Sequence, residues 1–307
     1  MRDAFVNKLT QLAKSDKKIY FITADLGFGV FDDFSERFPQ QYLNIGVAEQ
    51  NMIGVATGLA LEGRNVFVYS IANFSTLRCL EQIRNDAAYH EANITIVASG
   101  GGFTYGALGM SHHATEDIAI MRSLPDVKVE APCTAWEAFY ATEELAKSAG
   151  VGYLRIEKGG QTSPPHSNAK FEIGKSIIYK EGKDITLMAA GSVIEDCLVV
   201  ANDLEKNDIS IRVLSMHSLK PLDKEAIKLA STETKLIVTV EEHNRIGGLG
   251  SAVSDVITDQ NLDSKLLKIC INDTYSSVVG SQNYLRKFYK LDKDSIKQKI
   301  LEKLKDL

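Results

Sequence analysis

At 307 residues the chain exceeds one typical domain, and two units of roughly 150 residues each are expected. Its 44% apolar and 24% charged residues describe an ordinary globular chain, and a formal charge of -5 supplies no basic field for nucleic acid or an anionic membrane. The apolar runs fall short of the roughly 20 residues a membrane span needs, and the N-terminus shows amphipathic spacing rather than a signal-peptide core, so a cytoplasmic location is expected. Cys79, Cys133, Cys197 and Cys270 are far apart and form no CxxC pair, which argues against a disulfide framework or a zinc ribbon.

In chain order, Phe5, Leu9 and Leu12 mark one face of a helix, and IYFIT (19–23) reads as a buried strand. A glycine-bearing loop and a short helix around Phe34 follow, then Tyr42 to Asn44 leads into a helix beginning near Glu49. NVFVYS (65–70) and ITIVAS (94–99) are strands, and the spacing between them predicts a helix over 75–89. The loop GGGFTYGALGMSHH (100–113) is too rich in glycine for a regular element, and long loops at strand ends tend to carry function. VKVEAP (127–132) is a strand; Thr134 with Glu137 forms a capping box opening a helix that Gly150 ends; GYLRI (152–156) is the next strand.

Between Lys158 and Gly174 the composition shifts to GGQTSPPHSNAK, as in an interdomain linker, placing domains at 1–160 and 175–307 around a 161–174 connection. Strand-helix alternation then restarts with ITLMAAG (185–191), a second capping box at Ser192 and Glu195, ISIRVLSM (209–216), KLIVTVEE (235–242), a helix from about Gly250, LLKICIN (266–272) and an amphipathic C-terminal helix. Such alternation predicts an α/β chain of two doubly wound domains with mainly parallel sheets.

Few stretches carry chemistry. NIGVAEQNMIGVATGLA (44–60) places Glu49 where a glycine turn feeds an apolar helix; an acid there is stabilised by the helix dipole, and it is also a candidate for catalysis. Gly54 and Gly58 share one face of that helix, suited either to close approach of another helix or to an ordinary packing stripe. His112 and His113 are adjacent, which does not suit a shared metal ion, whereas His112 on a glycine loop suits substrate contact or proton handling. IGGLGSAV (246–253) lacks the third spaced glycine of a dinucleotide turn and reads as a close-packed turn. There is no phosphate loop of the GxxxxGK[ST] kind and no Gly-x-Ser-x-Gly elbow.

Taken together, NIGVAEQNMIGVATGLALEG (44–63), ANFSTLRCLEQIRND (72–86) and SHHATEDIAIMRSLPDVKVEAP (111–132) resemble the pyrimidine-binding domain of transketolases. VLSMHSLKPLD (213–223) and VTVEEHNRIGGLGSAV (238–253) are similar to the C-terminal domain of the same enzymes. The GDG motif that holds metal and diphosphate in the family is missing, so the chain resembles the C-terminal subunit of a split transketolase. The resemblance implies thiamine diphosphate as cofactor, Mg2+ held mainly by an N-terminal partner subunit with no metal ligand from this chain, and a dimer of heterodimers. It implies that Glu49 hydrogen-bonds N1' of the aminopyrimidine, favouring the imino tautomer that deprotonates the thiazolium C2, with burial favouring the neutral carboxyl. Phe74 would pack on the pyrimidine, with Ile71 in place of a second aromatic. His112 would contact the sugar near its reacting carbonyl or hydroxyl, and Lys158 falls near the place of a sugar-phosphate arginine. Gly100 and Leu108 stand where the family often has a histidine and a donor-reading aspartate. Two rivals follow: a relative using a 2-oxoacid, such as a deoxyxylulose-phosphate synthase or the beta subunit of a 2-oxoacid dehydrogenase, and a non-catalytic regulatory subunit.

Overall fold

The computed structural model describes residues 1–161 and 163–306; Thr162 of the expected linker and Leu307 of the expected C-terminal helix lie outside the described residues. Strands β1 (Ile19–Thr23), β2 (Tyr42–Asn44), β3 (Asn65–Ile71), β4 (Ile94–Ser99), β5 (Lys128–Glu130) and β6 (Gly152–Ile156) belong to the first half of the chain. Strands β7 (Ile177–Lys180), β8 (Ile185–Ala190), β9 (Ile211–Ser215), β10 (Ser218–Lys220), β11 (Leu236–Asn244) and β12 (Leu266–Ile271) belong to the second. They form a seven-stranded sheet ordered β10-β5-β6-β4-β3-β1-β2 and a five-stranded sheet ordered β12-β11-β8-β9-β7. Pairing is parallel except at one edge of each sheet, where β10 runs antiparallel to β5 and β7 antiparallel to β9. Two mainly parallel α/β sheets are what the strand-helix alternation requires. Apart from β10 they divide along the chain; β10 crosses back to extend the first sheet.

Burial explains the strand composition. All six residues of β4 are buried, because helices cover both faces of a central parallel strand and leave no solvated side to alternate toward. On one face of the first sheet lies an aromatic core: Phe21 is fully buried with Phe31 and Phe34 rings at 4.9 and 5.4 Å, under the Arg2–Ser15 helix that contributes Phe5 and Leu9. On the other face the Glu49–Leu61 helix buries Met52, Ile53 and Ala56. The second sheet has its own core around Leu187, Val213, Val238 and Ile269.

Several local expectations are corrected. The helix expected over 75–89 is broken into Ala72–Thr76, Leu80–Gln82 and a wide π turn at Ile83–Ala88. Ser75 and Thr76 hydroxyls turn back onto the carbonyls of Ile71 and Ala72, a bond that competes with the helical ladder and bends it. Thr134 does cap the Ala135–Lys147 helix by accepting from Glu137 N, but Glu137 reaches Cys133 N rather than Thr134 N, and the helix ends before Ser148, not at Gly150. The second capping box does not form: the helix there spans Ile194–Glu205 without a side-chain cap, because the Ser192 hydroxyl is engaged by Glu157 and Arg286. Gly54 and Gly58 pack against no other element of this chain, since a Cβ at either would meet nothing within 4 Å.

Candidate active site

β1 has β2 on one side and β3 on the other, so the chain leaves it toward both edges, and the C-terminal strand ends there form the crevice in which such sheets bind ligands. Glu49 enters that crevice from the loop after β2. Asn44 shapes the loop: its amide oxygen accepts from Asp25 N and Gly46 N, both at 3.0 Å, and its NH2 donates to Asp25, tying the ends of β1 and β2 together. The helix then starts at Glu49 itself, behind an N-cap, Ala48, with no side-chain cap, so the acid sits among unsatisfied N–H groups.

Glu49 is buried, and its Oε2 accepts from Arg78 Nη1 at 2.7 Å. A guanidinium thus faces this carboxyl within the chain. The Arg78 side chain is 45% exposed against 3% for Glu49, so only the acid is fixed by packing. Burial and the nearby Glu49 carboxylate together push the Cys79 thiol up to about 12.

Ile71 ends β3 and Phe74 lies in the helix that follows it, and both are half-buried. The Arg78 guanidinium carbon lies 4.4 Å from the Phe74 ring centroid, and the His112 imidazole meets the same ring edge-on at 5.2 Å. Asn73 supports this arrangement from the buried side, donating to the carbonyls of Ser111 and His113 on either side of His112. Thus Glu49 and Phe74 are joined by Arg78, which sequence reasoning does not single out, and His112 meets the same Phe74 ring. No motif announces Arg78; the break after Thr76 turns it toward Glu49.

His112 is half-exposed, with Nδ1 3.0 Å from Ser111 Oγ, and partial desolvation and then the neighbouring His113 lower its pKa. It is thus disposed to be neutral near pH 7 and able both to donate and to accept. His113 faces the other way, buried, with Nε2 3.0 Å from Gly106 O. Lys158 is exposed and lines a different cavity of about 360 Å³ with Ser99, Thr104 and Tyr105. Among the described residues no hydrogen bond or ion pair joins it to the Glu49 group.

The loop carrying His112 is anchored by buried charges from both halves of the chain. Its ends pair as a bridge between Gly102 and Ala114. Arg155, fully buried, donates to Ala114 O at 2.9 Å and pairs with Asp117 and Glu157, while Glu242 accepts from Phe103 N and pairs with Arg286 at 2.8 Å. Gly102 has φ +58°, and a Cβ there would come within 2.8 Å of the Glu242 side chain, so this close approach requires glycine.

The turn IGGLGSAV is filled by the chain itself. Glu241 accepts from Leu249 N and Gly250 N at 2.6 and 2.7 Å, seating a carboxylate on the start of the Leu249–Asp259 helix where a nucleotide phosphate would lie in a dinucleotide fold. The close-packed reading of that turn follows. Among the described residues no three His, Cys, Asp or Glu side chains are grouped to hold a metal ion, and no helix is long and apolar enough to cross a membrane.

Fold and crevice define the class first: two α/β units of the kind that hold ligands at the carboxyl ends of parallel strands. Residues 1–160 match the family model described as transketolase, pyrimidine binding domain, and residues 174–296 that of the transketolase C-terminal domain. The chain belongs to the transketolase family. It is 40% identical to the putative transketolase C-terminal section of Methanocaldococcus jannaschii, covering 99% of this chain and 96% of that one. It is 36% identical to one of the subunits of the apulose-4-phosphate transketolase of Phocaeicola vulgatus, covering 99% of this chain and 97% of that one. A solved structure described as a split gene transketolase, inactive beta4 tetramer, superposes with a TM-score of 0.89 at 34% identity, covering 98% of this chain and 97% of that one. The chain therefore corresponds to the C-terminal subunit of a two-chain transketolase, in a family of thiamine-dependent transferases.

Proposed function

We propose that this chain works in the cytoplasm with an N-terminal subunit carrying the GDG motif, and that the pair moves a two-carbon ketol unit from a ketose or its phosphate to an aldose. The division into domains at 1–160 and 175–307 is part of this reading. So is a dimer of heterodimers with thiamine diphosphate held at the seam between subunits and Mg2+ mainly on the partner. The observation that carries it is the pairing of a buried carboxylate with an aromatic face at the switch point of the sheet.

These residues fit the aminopyrimidine on two counts. The Arg78 guanidinium carbon lies over the Phe74 ring, 4.4 Å from its centroid, which supports a flat group being accommodated there. Glu49 Oε1 accepts no hydrogen bond among the described residues, leaving capacity toward a ring nitrogen. The bound cofactor supplies the carbanion chemistry. Glu49 holds a proton at the ring nitrogen, Phe74 with Ile71 orients the ring and excludes water, and His112 donates to or accepts from a substrate oxygen. Lys158 is a candidate anchor for a distal anionic group, a role supported by a relative named for a sugar phosphate. The description of another relative's four-chain form as inactive supports the need for a second kind of subunit.

The test is the Glu49→Gln variant assembled with its partner. Ketol transfer should fall by at least about 100-fold while sedimentation shows unchanged assembly, a loss of the size expected when acid-base catalysis is removed. Unchanged transfer would favour a regulatory subunit, and release of carbon dioxide from a 2-oxoacid by the wild-type pair would favour the 2-oxoacid relatives.

A further inference from the structure

We propose that Arg78 is a placeholder for the aminopyrimidine: its guanidinium occupies the seat of that ring in the unliganded chain and must leave for the cofactor to enter. The proposal rests on the reading that Glu49 and Phe74 hold the ring. Two surfaces define the seat, the edge of the Glu49 carboxylate and the face of the Phe74 ring. The guanidinium uses both at once, with Nη1 2.7 Å from Glu49 Oε2 and its central carbon 4.4 Å from the ring centroid. A guanidinium is flat, donates in its plane and stacks on aromatic faces, so it copies the two features by which a protonated aminopyrimidine would be recognised. One carboxylate edge and one ring face do not serve two flat groups together.

The surroundings suit a departing group. Arg78 lies in the break between the Ala72–Thr76 and Leu80–Gln82 helices, and its side chain is 45% exposed, whereas Glu49 is held by the core. Without the guanidinium, Glu49 would be a buried carboxylate with no counter-charge until the cofactor arrived. The placeholder gives the acid a partner and keeps it pointed into the crevice.

Competition of this kind weakens apparent cofactor affinity by the fraction of chains in which the seat is free. A half-exposed ion pair and a cation–π contact each contribute a small factor, so release should tighten binding about fivefold. The experiment is calorimetric titration of thiamine diphosphate, at saturating Mg2+, into the chain assembled with its N-terminal partner. Arg78→Ala should bind about fivefold more tightly than the wild type and associate faster, and Arg78→Lys, which keeps the charge but not the plane, should fall between them. Equal or weaker binding by Arg78→Ala would overturn the proposal, showing a guanidinium that is a bystander or a support. Exchange of the cofactor C2 proton for deuterium separates this from the parent reading. If Glu49→Gln leaves that exchange unslowed, the assignment of Glu49 itself fails; if exchange slows while Arg78→Ala does not tighten binding, only the placeholder fails.

Discussion

Glu49 is an acid buried where an unpartnered charge would be costly, and its neighbours show how such a charge would be met. The helix start contributes roughly 0.3–1 kcal/mol toward an acid at that position, and Arg78 supplies the counter-charge. His112, across the crevice, is governed by the opposite effect: losing part of its water and lying next to His113 both disfavour the imidazolium. With a folded pKa below the ordinary value of 6.5, its neutral form favours folding, and that contribution is present above the unfolded pKa and lost as pH falls through the folded one. Histidine NMR titration of the full chain should place His112 below 6.5, and a midpoint above that value would contradict the described surroundings.

At the scale of elements, the geometry of the candidate site depends on how a glycine loop is held at its roots. Arg155 on β6 bonds to Ala114 O, and Glu242 on β11 bonds to Phe103 N, so the loop bearing His112 is clamped by charges from both sheets. Replacing Arg155 with Met should cost about 3–5 kcal/mol by stranding Asp117 and Glu157 as buried carboxylates. Urea unfolding monitored by circular dichroism would measure it, and a loss below about 1 kcal/mol would mean the network relaxes through water.

These elements also mark what the sequence does and does not disclose. ITIVAS reads as a strand because a buried parallel strand is mostly apolar, and the acid at the head of the 44–60 stretch is legible because its surroundings are apolar. The break in the helix over 75–89 is not, since Ser75 and Thr76 fit a helix until their hydroxyls are seen bonding backward. Arg78 escapes notice for the same reason, and Ser192 passes for a cap because its true partners are distant in sequence.

Over the whole molecule, the proposed N-terminal partner would meet the chain at the exposed face of the Glu49–Leu61 helix. Val47 is 74% exposed and Leu61 60%, with Asn51, Gly54 and Gly58 between them on the same stripe, so bare backbone is flanked by exposed apolar side chains. A Gly58→Trp variant should keep the wild-type unfolding midpoint, because nothing in the chain lies against that position, yet fail to assemble with the N-terminal subunit in analytical ultracentrifugation. Normal assembly would move the contact elsewhere.

The most direct test is a crystal structure of the two-subunit complex with thiamine diphosphate bound. The expected result is a Glu49 carboxyl oxygen about 2.5–3.0 Å from N1' of the pyrimidine, with the ring on Phe74 and Arg78 displaced from both. A Glu49 still paired with Arg78, and a cofactor bound away from the ends of β2 and β3, would contradict it.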